Sequence, residues 1–236
     1  MWDWSAASAH ELQQRLNTIP SDVPPRGHGR TKEHIENWVL RHLLWTLANA
    51  TSFLTYPLSV KKGERPDLDV GTHSKRIGIE VTEAIPNQYA HAVAIQNRES
   101  PTAMLDASLF QYGDRAMDGD QIRHLLGNAG DRLTGPGWVG ESAEQEWAGR
   151  MALAILHKTQ LLNEASFRRQ ENNWLAIYDN TPRPGLDLGP ALGYLRERVA
   201  TIRPQPVEFD RVFIELPNEI VSLASGDACA MQLRRP

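Results

Sequence analysis

The stretch GERPDLDVGTHSKRIGIEVTEA, residues 63–84, holds two β-rich runs separated by a short polar turn. Side chains on a strand alternate between its two faces. In the second run Ile77, Ile79 and Val81 therefore share one face, and Gly78, Glu80 and Thr82 share the other. In the first run burial of Leu68 and Val70 leaves Asp67 and Asp69 on the opposite face. A turn centred between His73 and Ser74 sets Asp67 directly across from Glu80, about 4.5–5.5 Å apart at Cβ. Two carboxylates that close repel unless a cation or a shared proton compensates. The pair thus reads either as part of a salt-bridged hairpin, with Arg65 or Arg76 as partner, or as half of a divalent-cation site.

Working outward, the residues before this stretch predict a short helix over 5–17, a Pro/Gly loop through Pro20, Pro24, Pro25, Gly27 and Gly29, and a helix from an N-cap at Thr31 to about Ala50. A β-rich run over 52–60 follows. On the 31–50 helix Glu36 falls in line with Leu40, Leu43 and Leu47, an apolar stripe where a carboxylate is costly without a partner. It could equally be the acid that favours a helix N-terminus.

Beyond Ala84 the pattern is irregular as far as about Gly140, with one helix near 120–128, and this segment reads as an insertion. A long helix over 142–169, a strand over 174–178, a helix over 188–202 and a strand over 211–216 come next, then a closing hairpin from 220–223 and 229–233. Antiparallel strands followed by helix–strand alternation imply an α/β fold, a mixed sheet flanked by helices with an αβββαβ core. The expected organisation is an N-terminal helix and loop over 1–30 and a single domain over 31–236.

The 236 residues can bury a sizeable core. A formal net charge of −4 disfavours an extended basic surface for nucleic acid but leaves local contacts open. A single cysteine, Cys229, excludes an internal disulfide and a cysteine-based zinc site. No apolar run reaches the roughly 20 residues of a membrane span, and the start lacks signal-peptide character; a cytoplasmic location is expected. The eight histidines show no metal-ligand spacing, and no nucleophile or phosphate-loop motif is present.

With Glu36 on a helix, Pro66-Asp67 ahead of one strand and Glu80-Val81-Thr82 within the next, the chain resembles the PD-(D/E)xK nuclease superfamily, the restriction-endonuclease-like fold. The motifs cover residues 31–82; from 142 to 216 the resemblance rests on element order alone. It implies a metal-dependent phosphodiesterase acting on DNA in preference to RNA, with a homodimer left open. Glu36, Asp67, Glu80 and the carbonyl of Val81 would be ligands of Mg²⁺ or Mn²⁺. The family pattern has Lys where this chain has Thr82, which hydrogen-bonds water but carries no charge. Lys158 lies on the stripe of Trp147, Met151, Ala154 and Leu162 and is the candidate for the missing cation; a lysine snorkelling to water is the plainer alternative. Arg76 and Lys75 are the expected phosphate contacts. The competing expectation is a nuclease-fold module that has lost catalysis and binds nucleic acid or a protein partner.

Overall fold

The structure is a computed structural model that describes residues 2–50, 53–110, 117–129, 134–135, 137–182, 185–202, 205–224 and 227–235. The hairpin of the opening stretch forms as its alternation demands. Strand β3 (Leu68–Thr72) pairs antiparallel with β4 (Arg76–Glu83), in the register Leu68 opposite Ile79 and Val70 opposite Ile77. On its other side β3 pairs with β2 (Leu58–Lys62), which pairs with β1 (Asp3–Ala6). Strands β4, β5 (Asn172–Tyr178) and β6 (Arg211–Glu215) are parallel, and β7 (Glu219–Ala224) and β8 (Asp227–Gln232) close the sheet antiparallel. The result is one eight-stranded mixed sheet in sequential order, with helices on both faces.

Parallel neighbours require crossovers, and the helices between them supply these. Helices α1 (Ala9–Asn17) and α2 (Lys32–Ala48) cover the face carrying Ile77, Ile79 and Val81, joined there by Leu40, Leu43 and Leu47. Helices α5 (Ser142–Leu162) and α6 (Leu188–Thr201) cover the other face through Trp147 and Met151 against Leu175, Ile177 and Ile214. Strand β4 is buried on both sides from Ile77 to Val81, so Gly78 and Glu80, on the face away from Ile77, Ile79 and Val81, are enclosed as well.

Some expectations shift. The helix expected over 5–17 begins only at Ala9, and residues 3–6 form an edge strand instead, because alternating Trp2, Trp4 and Ala6 bury their side chains as the chain pairs with the β2 edge. Helix α5 stops at Leu162, seven residues early, where Asn163 caps it and binds the Thr159 carbonyl at 2.8 Å. The strand expected over 52–60 begins at Leu58; residues 51 and 52 lie outside the described residues. The insertion is more ordered than its composition suggests. It contains α3 (Asn87–Glu99) and α4 (Gly119–Ala129), which pack on Phe110 in a small apolar cluster of their own.

Candidate metal and phosphate site

The site is built where β3 stops. Its pairing with β4 ends at Leu68 and Ile79, while β4 runs on to Glu83 beside β5. Pro66 lies against Gly78: a Cβ there would come within 2.9 Å of the proline Cγ, so only glycine admits this approach. Asp67 then turns inward, and its Oδ2 accepts the Val81 backbone N–H at 2.7 Å. A carboxylate thus takes the place of a strand in satisfying that donor.

Asp67 and Glu80 are 1% and 4% exposed. Burial, and next the charge of Glu80, push the Asp67 carboxyl up to about 6, against the pull of Val81 N–H and Lys32. Glu80, on the face covered by α5, accepts from Lys158 Nζ at 2.7 Å. Its second oxygen, Oε2, is buried with no hydrogen-bond partner among the described residues. Lys158 therefore does not snorkel: it is buried and turned toward the strand carboxylate.

Glu36 arrives from the opposite layer, on the first turns of α2. Burial raises its carboxyl, but hydrogen bonds from Lys32 and Lys62 outweigh this and hold it below the usual range. Lys32 Nζ lies 2.9 Å from Glu36 Oε1 and 3.0 Å from Asp67 Oδ1, and so bridges the two acids. Lys62, at the end of β2, reaches Glu36 Oε2 at 3.1 Å. Three carboxylates and three ammonium groups therefore interlock around the end of β3.

A cleft of about 440 Å³ opens over this cluster, walled by Lys32, Glu36, Val81, Thr82 and Lys158. Its far wall is Arg26 and Arg30, both paired with Glu83 at the end of β4, Arg30 at 2.6 Å. Gly27 and Gly29, with φ of +86° and +79°, bend the loop so that both guanidiniums meet one carboxylate.

Glu36, Asp67, Glu80, Val81, Thr82 and Lys158 thus gather in one place. Arg76 and Lys75 do not join them. They sit at the other end of β4, about 13 Å along the strand from Glu80; Arg76 is 3.7 Å from Asp69, and Lys75 lies over the Trp174 ring. Sequence reasoning missed Lys32, Lys62, Arg26 and Arg30. The four-residue spacing of Lys32 and Glu36 on one helix was the signal available for the first. The other three depend on tertiary placement.

Among the described residues no three His, Cys, Asp or Glu side chains stand together as a ready-made metal cage. The geometry gives the reason: Lys32 occupies the space between Glu36 and Asp67, and Lys158 holds Glu80. The donor set itself, hard carboxylate oxygens with one buried oxygen unpartnered, fits an oxygen-seeking divalent cation. No family model, curated protein or solved structure matches the chain.

Proposed function

We propose that the chain is a metal-dependent phosphodiesterase acting on nucleic acid, DNA in the first instance, built as a divergent PD-(D/E)xK nuclease. The observation that supports this most is the cluster of Glu36, Asp67, Glu80 and Lys158, from four separate segments linked by Lys32 and by the Lys158–Glu80 pair, with Glu36 and Lys158 walling one cleft. Glu36, Asp67, Glu80 and the Val81 carbonyl are the residues that would hold Mg²⁺ or Mn²⁺. The ion would supply Lewis acidity toward the phosphate and a water of lowered pKa.

The chain's own groups have distinct parts. Lys158 keeps a positive charge beside Glu80 at the cleft wall, in the place of the lysine that Thr82 replaces. Thr82 lines the same cleft and carries a hydroxyl that can hydrogen-bond a water. Arg26 and Arg30 offer forked donors suited to a phosphate oxygen pair. Lys32, bridging Glu36 and Asp67, stands where cationic charge is wanted and must yield as a metal enters.

A second reading, a catalytically silent nuclease-fold module binding nucleic acid or a protein, is favoured by one feature: Lys32 and Lys158 already balance the acids without a metal. Calorimetric titration with Mn²⁺ separates the two. We expect binding by the wild type, lost in Asp67→Ala and Glu80→Ala, with metal-dependent cleavage of DNA substrates. No binding at millimolar Mn²⁺ would leave the module reading.

A further inference from the structure

A second cavity of about 460 Å³ lies at the carboxyl ends of the parallel strands, lined by Trp38, Tyr89, Tyr178, Thr181 and Glu215 and by Arg26, Arg30 and Arg235. Ligands in open α/β sheets gather outside these strand ends. The volume lies within the range of small-molecule sites. Arg26 and Arg30 also wall the cleft described above, so the two cavities adjoin through these side chains.

Its polar groups are unusual for a folded interior. Glu215, at the end of β6, is 4% exposed. Its Oε1 accepts from His42 Nδ1 at 2.7 Å and from Trp38 Nε1 at 3.1 Å. Its Oε2 is buried with no partner among the described residues, and so is Thr181 Oγ1. Buried polar atoms are nearly always satisfied, so two orphans carried by residues that line one cavity mark a place for a ligand's hydrogen bonds, reached by a small turn of each side chain. Burial also pushes the Glu215 carboxyl upward.

Around them stand aromatic faces and forked cations. Trp38 lies 6.5 Å from the Tyr178 ring, and Tyr89 lines the insertion side. Arg26 and Arg30 share Glu83, and Arg235 donates to the Pro217 carbonyl, while Asp179 and Glu215 line the same cavity, so it is not a bare anion hole. Such a pocket suits a flat heterocycle with donors on one edge and acceptors on the next. Guanine has this pattern: N1–H and the 2-amino group can donate to a carboxylate, while O6 and N7 can accept from arginine.

We infer that this cavity binds an unpaired guanine base, with Glu215 Oε2 and Thr181 Oγ1 reading its donor edge, arginine its acceptor edge, and Trp38 and Tyr178 its ring. Resting on the nuclease reading, this makes the pocket a specificity site. A guanine seated there has its phosphate directed past Arg26 and Arg30 toward the metal cleft, and the substrate is a single strand or an extruded nucleotide.

The test is calorimetry of the full chain with guanosine 5′-monophosphate, adenosine 5′-monophosphate and N1-methylguanosine 5′-monophosphate in EDTA. The guanine nucleotide should bind at least about tenfold more tightly than the other two, and Glu215→Gln should remove that preference. If Glu215→Gln melts well below the wild type, Thr181→Val replaces it and should weaken guanine binding severalfold. Equal binding of all three nucleotides, or none at millimolar concentration, overturns the inference. Because the titration contains no metal, Glu80→Gln should retain guanine binding. A chain that binds guanine but not Mn²⁺ would sink the nuclease reading while leaving this pocket standing.

Discussion

At the scale of single residues, the cluster around Asp67 is governed by burial. Lys158 and Glu80 are both enclosed and bound to each other at 2.7 Å. Removing one member of such a pair strands the other charge, at a cost of about 3–5 kcal/mol. Lys158→Ala should therefore lower unfolding stability by roughly that amount in metal-free chemical denaturation, and the double variant Lys158→Met/Glu80→Gln should recover most of it. Asp67 has the opposite pH logic from an ordinary surface acid. Its carboxyl is raised to about 6 in the folded chain, from 3.8, by burial and then by Glu80. The folded state keeps a proton that the unfolded chain has released, so this contribution is complete below pH 4 and is lost as pH rises through 6. The change is on the order of 2–3 kcal/mol. Stability measured from pH 4 to 7 should fall more steeply for the wild type than for Asp67→Asn; equal slopes would contradict this assignment.

At the scale of elements, the hairpin was legible because period-two alternation and a short polar turn leave one register that buries Leu68, Val70, Ile77 and Ile79 together. The same register continued by one residue points Asp67 at Glu80, but the pairing stops at Leu68 and Asp67 instead turns in to the Val81 N–H. The α2 stripe likewise announced Glu36, and the α5 stripe Lys158, since each is a charged residue at an apolar spacing. Arg26, Arg30 and Lys62 were not legible, because a loop and a strand end carry no periodicity that says what they meet. Helix α3 was hidden by Pro86 before it and by Pro101 and the irregular chain after it. Gly78 was read only as a small residue on the Glu80 face, yet it sets the element's geometry. In Gly78→Val the new side chain would meet Pro66 Cγ, already 2.9 Å from a bare Cβ, and Gln170 Cγ at 3.1 Å. Overpacking of this kind costs about 1–3 kcal/mol, visible as a shifted denaturation midpoint. Because Pro66 positions Asp67, we expect Mn²⁺ affinity to fall as well.

At the scale of the molecule, the sheet joins segments far apart in sequence. Trp2, Leu12 and Leu16 lie in the same core cluster as the site-bearing strands. A chain beginning at residue 18 would lose those side chains, each contributing about 1.5–3 kcal/mol, and would bare the β2 edge. It should melt far below the full chain or aggregate, as read by calorimetry and light scattering. The interlocked charges near β3 have a wider implication. Glu36, Asp67 and Glu80 are each met by an ammonium group of the chain itself, and Lys32, whose side chain is 68% exposed, is the member able to swing aside into water. A zinc finger collapses when its ion is stripped away. This chain carries its own internal counter-ions to these acids, so its fold does not wait on an ion, and on the nuclease proposed above a divalent cation would enter an already folded chain by displacing Lys32.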